Sequence, residues 1–228
     1  MEKNPNPNRQ QRRLAERELR RQKGPQHGLA KNLAAQGAIG DLIKMQVEAV
    51  REHGMPPNTR RVAAIHEAGH CTVALAMGGI FKEAYIKKAA AGWEGFTSIR
   101  VPGVHGSDLT VQSDPARAWL LGLNMLAGIA AEIEAGVYHP AANIEESFSA
   151  AQIAGQAAML KGSDPRAAIS ELMLHCAAII QANNAPFKAI AEAFEQRGHI
   201  TAAEVAQQRI VQFGHDTLVP GWLKGGAA

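Results

Sequence analysis

Residues 66–70 read His66-Glu67-Ala68-Gly69-His70, and no other stretch restricts so strongly what the chain can fold into. Two histidines four apart rise one above the other on a helix face, so both imidazoles can aim at one point. Zinc accepts neutral imidazole nitrogens at about 2.0–2.1 Å, and a catalytic site keeps one position open for water. Glu67 projects from the adjacent side of the same turn. A carboxylate there can take a proton from that water and return it to a leaving amine. The pattern needs a buried, stiff helix, and its surroundings supply one. Residues 61–77 read RVAAIHEAGHCTVALAM, with Val62, Ile65, Val73 and Met77 at helical spacing. Cys71 adjoins the motif but sits about 100° further round the helix than His70, which makes it a packing residue.

A third ligand has to come from elsewhere in the chain. Residues 71–80 contain no His, Asp or Glu, which excludes a metzincin-type ligand just beyond the second histidine. The next candidates are Glu83, Glu94, His105, Asp108, Glu132, Glu134, His139, Glu145 and Glu146. Spacing alone does not choose among them.

The rest of the chain is well punctuated. Residues 81–88 and 95–101 carry Phe, Tyr, Ile, Thr and Val in short runs, the only strands the pattern predicts, joined by a small-residue connection over 89–94. Asp114-Pro115 and Asp164-Pro165 each read as an N-cap followed by proline at the first helical position. Helices are expected over 115–136, 167–181 and 185–196, with Gly198 as a C-cap and Thr201-x-x-Glu204 as a capping box opening the last one. His175 and His199 read as structural residues. The fold class expected is α+β and predominantly helical, with a small hairpin or sheet beside the motif helix and a C-terminal helical bundle.

From about residue 61 to 212 the chain resembles the protease domain of FtsH-type, membrane-associated ATP-dependent zinc metalloproteases. In that family HEAGH is followed by an LGGRxAEE helical segment, a glycine-rich loop and an SNDL-type helix start that carries an aspartate ligand. Here residues 126–132 read LAGIAAE and residues 142–154 read ANIEESFSAAQIA, in the same order. NNAPFKAIAEAFEQRGHITAAEV is similar to the end of such domains. The resemblance implies Zn²⁺ held by His66, His70 and Glu146, with Glu145 as the alternative third ligand and Glu67 as the catalytic base. Glu146 lies 76 residues after His70. A glutamate is one methylene longer than the family's aspartate, so its helix must stand back by roughly an ångström. Ile129 stands where the family has an arginine, and Asn143-x-x-Glu146 also fits a capping box. GWEGFT at 92–97 resembles the family's LGYT edge strand. That implies a substrate-binding role for Gly92, Trp93, Gly95, Phe96 and Thr97, since a strand edge pairs with an extended peptide through main-chain hydrogen bonds. Glu145-Glu146 followed by Phe148-Ser149-Ala150-Ala151 also resembles the EExxxxFA stretch of ImmA/IrrE-type regulatory metalloproteases, which lies much nearer the HExxH in that family.

Composition adds boundaries. The chain has 228 residues, 46% of them hydrophobic, enough for a full core. Its net charge of +3 conceals a division, since residues 1–23 carry +5 and the remainder −2. The expected organisation is a basic arm and linking helix over 1–54, a metallopeptidase domain over 55–214 and a tail over 215–228. The arm is expected to be solvated, with nucleic acid or an acidic partner surface as its alternative use. Two cysteines 105 residues apart form no disulfide framework, no signal-like segment opens the sequence, and the apolar stretch 118–131 is too short to span a bilayer. A cytoplasmic location is the expectation.

FtsH-type enzymes also carry an ATPase module, and no GxxxxGK[ST] loop occurs here. The expected substrate is therefore unfolded or extended polypeptide, reached alone, as a homo-oligomer or with a separate ATPase. The reading from another class is a non-catalytic metal-binding scaffold whose arm recruits nucleic acid or a protein.

Overall fold

A computed structural model describes residues 58–90, 92–104, 110–137, 139 and 144–224. The basic arm and linking helix expected over 1–54, His105, Asp108 and Asn143 lie outside the described residues.

The motif helix forms the centre. Helix α1 (Arg60–Ala76) starts at Thr59, whose side chain accepts from the Val62 N–H at 3.2 Å. Every residue from Ala63 to Ala76 is buried. A helix buried on all sides needs neighbours all round. It is covered by α2 (Pro115–Glu134), by α5 (Asn184–Arg197), and by strands β1 (Ile80–Ala89) and β2 (Gly92–Arg100). Helices α3 (Ile144–Leu160) and α4 (Pro165–Ala182) pack on α2 and on each other, completing the bundle. The architecture is α+β and mostly helical, as expected.

Local signals account for the boundaries. Asp114 and Asp164 cap α2 and α4, accepting from the N–H of Arg117 at 3.0 Å and of Arg166 at 3.1 Å. Gly198 ends α5 with φ of 82°, a conformation that costs glycine nothing. Thr201 and Glu204 form the capping box of α6 (Ala202–Gln207). Helix α2 is long and apolar enough to cross a membrane, but 67% of its most apolar window is buried inside the fold.

Three expectations need correction. The strands are longer than the pattern suggested, because Ala89 pairs directly with Gly92 and residues 92–94 belong to β2. A third strand, β3 (His199–Ile200), pairs antiparallel with β1 and makes the order β2-β1-β3. Two residues are too few to show a period, and pairing with Ala84 and Tyr85 creates the strand. Finally, residues 215–224 are not a tail. They form α7 (His215–Leu218) and α8 (Gly221–Lys224), which bury Leu218, Val219 and Leu223. Trp119 donates to the Leu218 carbonyl at 3.1 Å and meets Trp222 edge to face, with ring centroids 5.6 Å apart.

Candidate metal centre

His66 and His70 face the same point from successive turns of α1, with their Nε2 atoms 3.0 Å apart. Glu146, in the first turn of α3, brings Oε2 to 3.2 Å from His66 Nε2 and 3.5 Å from His70 Nε2. The three form a group able to hold a metal ion.

The surroundings set the imidazole tautomers. His70 Nδ1 lies 2.8 Å from the Asn124 carbonyl oxygen. That oxygen only accepts, so Nδ1 carries the hydrogen and Nε2 turns its lone pair toward His66 and Glu146. His66 Nδ1 lies 2.8 Å from Oε1 of Glu132, a carboxylate 1% exposed on α2. The second oxygen of Glu132 accepts from the His139 N–H at 2.8 Å. A carboxylate behind a ligating histidine fixes the ring and strengthens it as a donor to metal. Two imidazole Nε2 atoms and a carboxylate oxygen thus converge, and the buried Glu146 Oε2 faces both rings. Such an arrangement fits a cation.

Without metal a proton fills part of that role. Burial disfavours the charged form of His66, but hydrogen bonds to Glu132 and Glu146, with the charges of Glu67 and Glu146, outweigh it and raise its pKa to about 10. Burial also opposes ionisation of Glu146, yet the adjoining His66 and His70 hold its pKa well below the usual carboxylate range.

Glu67 sits beside this group. Its Oε2 accepts a 2.6 Å hydrogen bond from Thr97 Oγ1 on β2, and its Oε1 lies against Gly95. The nearby thiol of Cys71 stays neutral, pushed up to about 12 by burial. Two close approaches need glycine. A Cβ on Gly95 would collide with the Glu67 carboxylate, and one on Gly128 with the His66 ring.

A cleft of about 660 Å³ opens over the group, bordered by Glu67, His70, Phe96, Thr97, Met125 and Glu146. Of the residues expected to bind substrate, Gly95, Phe96 and Thr97 border this cleft, and Thr97 also holds Glu67. Gly92 and Trp93 do not border the cleft. Their outer edge is occupied by Asn58, which bridges to Gly92 and exchanges hydrogen bonds with the Trp93 backbone at 2.9 and 2.7 Å.

The other sequence candidates lie elsewhere. Glu132 and His139 stand behind His66, and Glu145 is exposed on α3. Glu83 is exposed, Glu94 pairs with Lys87 at 3.0 Å, and Glu134 accepts from Gln181 at 2.9 Å. His175 packs on Trp119 and His199 is exposed. Sequence reasoning did not foresee that Glu132 supports His66 or that Thr97 holds Glu67. One signal pointed to the first: Glu132 closes an otherwise apolar run, and a buried carboxylate needs a partner. In comparisons with known proteins, no family model and no curated protein matches this chain.

Proposed function

We propose that the chain is a zinc metalloendopeptidase that cleaves extended polypeptide, with a site like that of the FtsH-type protease domain it resembles. One observation carries the reading. His66 Nε2, His70 Nε2 and Glu146 Oε2 converge with their tautomers set, and a carboxylate from the same helical turn stands beside them at the floor of an open cleft. Two histidines and a glutamate are a donor set of catalytic zinc sites, which retain an open position.

When bound, zinc supplies a Lewis acid and lowers the pKa of a coordinated water to about 7. The residues of the chain do the rest. Glu132 and the Asn124 carbonyl hold both rings with Nε2 forward. Thr97 ties down Oε2 of Glu67 and leaves Oε1 to receive a proton, which Glu67 then passes to the departing amine. Among the described residues, strand β2 is at the edge of its sheet. Trp93 directs its main-chain groups outward to Asn58, so by alternation Gly95 and Thr97 do so too. Those groups can pair with an extended backbone whatever its side chains.

The test is metal analysis of the purified chain together with digestion of an unfolded protein. The reading requires about one zinc per chain, cleavage at internal peptide bonds, loss of cleavage on chelation and recovery with zinc. A chain that binds no zinc, or that binds it stoichiometrically and cuts no polypeptide, contradicts it.

A further inference from the structure

The two ends of the β2 edge differ. At the Gly92 end, Asn58 takes the main-chain groups of Trp93, and the Arg60 guanidinium lies 4.9 Å from the Trp93 ring centroid. A peptide added to this edge cannot pair past that stopper, so it engages the stretch from Gly95 to Arg100. Among the described residues no such stopper lies at the Arg100 end, which is basic. Arg100 closes β2, and Lys82 is the extra residue where the β1 register shifts between Phe81 and Glu83. A bulge re-aims the side chain it displaces.

Both cations border the same cleft as Glu67, His70 and Glu146. Both are exposed, and neither forms an ion pair among the described residues. Glu83, the adjacent carboxylate, does not border the cleft. Side chains alternate along a strand, so Phe96, Ser98 and Arg100 share the sheet face opposite to Thr97. Thr97 marks the position of Glu67, and Arg100 is three residues further, roughly 10 Å at strand rise.

Resting on the peptidase reading above, we propose that the cleft selects extended peptides bearing an acidic side chain about three residues from the cut bond, on the Arg100 side, with Lys82 and Arg100 as its specificity-determining residues. The stopper at Asn58 gives the preference one direction. Among the described residues, only the Arg100 end of this edge is both basic and free of such a stopper, so a peptide entering the cleft lays its charge there. Exposed cations discriminate modestly, so an aspartate or glutamate should improve binding and cleavage by roughly three- to tenfold over the matching amide, and less at high salt.

The experiment uses the zinc-loaded full chain and fluorogenic peptides in which one Glu or its Gln counterpart is moved through each position on both sides of the cut. Affinity of the same peptides for the Glu67→Gln chain is measured in parallel by fluorescence anisotropy. The expected result is a Glu-over-Gln preference two to four residues from the cut on one side only. In Lys82→Gln/Arg100→Gln, with zinc content unchanged, that ratio should fall to near one. Cleavage with no preference at any position, or a preference that survives the double substitution, overturns the proposal. Charge-selective binding that Lys82→Gln/Arg100→Gln abolishes, with no cleavage by the parent chain, would instead sink the peptidase reading and leave only the selection of acidic peptides by Lys82 and Arg100 standing.

Discussion

Glu132→Gln exchanges one oxygen for an amide nitrogen at a site where the structure leaves no room for the change. Glu132 is 1% exposed and uses both oxygens as acceptors, toward His66 Nδ1 and the His139 N–H, each at 2.8 Å. A glutamine in that place has two orientations. With its NH₂ toward His139, two donors face each other and a buried N–H loses its acceptor. With its NH₂ toward His66, Nδ1 must accept, so the ring hydrogen moves to Nε2 and points at His70 and Glu146. Either outcome weakens metal binding. Loss of a carboxylate behind a ligating histidine typically costs 10–100-fold in affinity, about 1.4–2.7 kcal/mol. The assay is competitive zinc titration against a chromophoric chelator at fixed pH, with circular dichroism of the metal-free variant confirming the fold. A folded Glu132→Gln chain whose zinc affinity stays within a factor of about two of the parent would refute the claim that Glu132 orients His66.

Three further outcomes follow from the same geometry. Thr97→Val removes the hydroxyl that holds Glu67 Oε2 and should lower kcat about tenfold with little change in KM, while Thr97→Ser restores most of it; equal losses in Val and Ser would show that only packing matters. Glu146→Ala should reduce zinc affinity far more than Glu145→Ala, since only Glu146 reaches both imidazoles; equal effects in a chelator competition would contradict the ligand assignment. Metal uptake should also be linked to protons. Because the His66 pKa is raised to about 10, its ion-paired form contributes fully below the ordinary value near 6.5 and is lost as pH rises through about 10. Zinc needs the neutral ring, so affinity should increase about tenfold per pH unit above pH 7, with about one proton released per metal in calorimetry across buffers of different ionisation enthalpy. Proton-independent binding over that range would show that metal-free His66 is neutral.

Where a signal is local, the sequence predicts the structure well. The motif helix, the Asp-Pro starts of α2 and α4, the Gly198 cap and the Thr201 box each depend on residues within one or two turns. What was illegible depends on contacts between distant segments. Glu132 is 66 residues from His66, and Thr97 is 30 residues from Glu67. Residue type placed Glu132 among the candidate ligands, but only the packing of α2 on α1 puts it behind the ring. Resemblance rather than spacing singled out Glu146, and the start of α3 brings it to the histidines while Glu145 faces solvent. The C-terminal segment misled for a related reason. Its glycines and its lack of a helical period suggest a tail, yet Trp222 and Leu218 find partners in Trp119 of α2, about a hundred residues earlier.

Glu67→Gln tests the central claim most directly, because it keeps the shape of the side chain and leaves His66, His70 and Glu146 untouched. Zinc content and hydrolysis of a fluorogenic peptide are measured on the same preparation beside the parent chain. The account predicts unchanged zinc stoichiometry with cleavage reduced by a factor of about 100 or more, the low end of what a general base contributes. Full zinc occupancy with undiminished cleavage would contradict it.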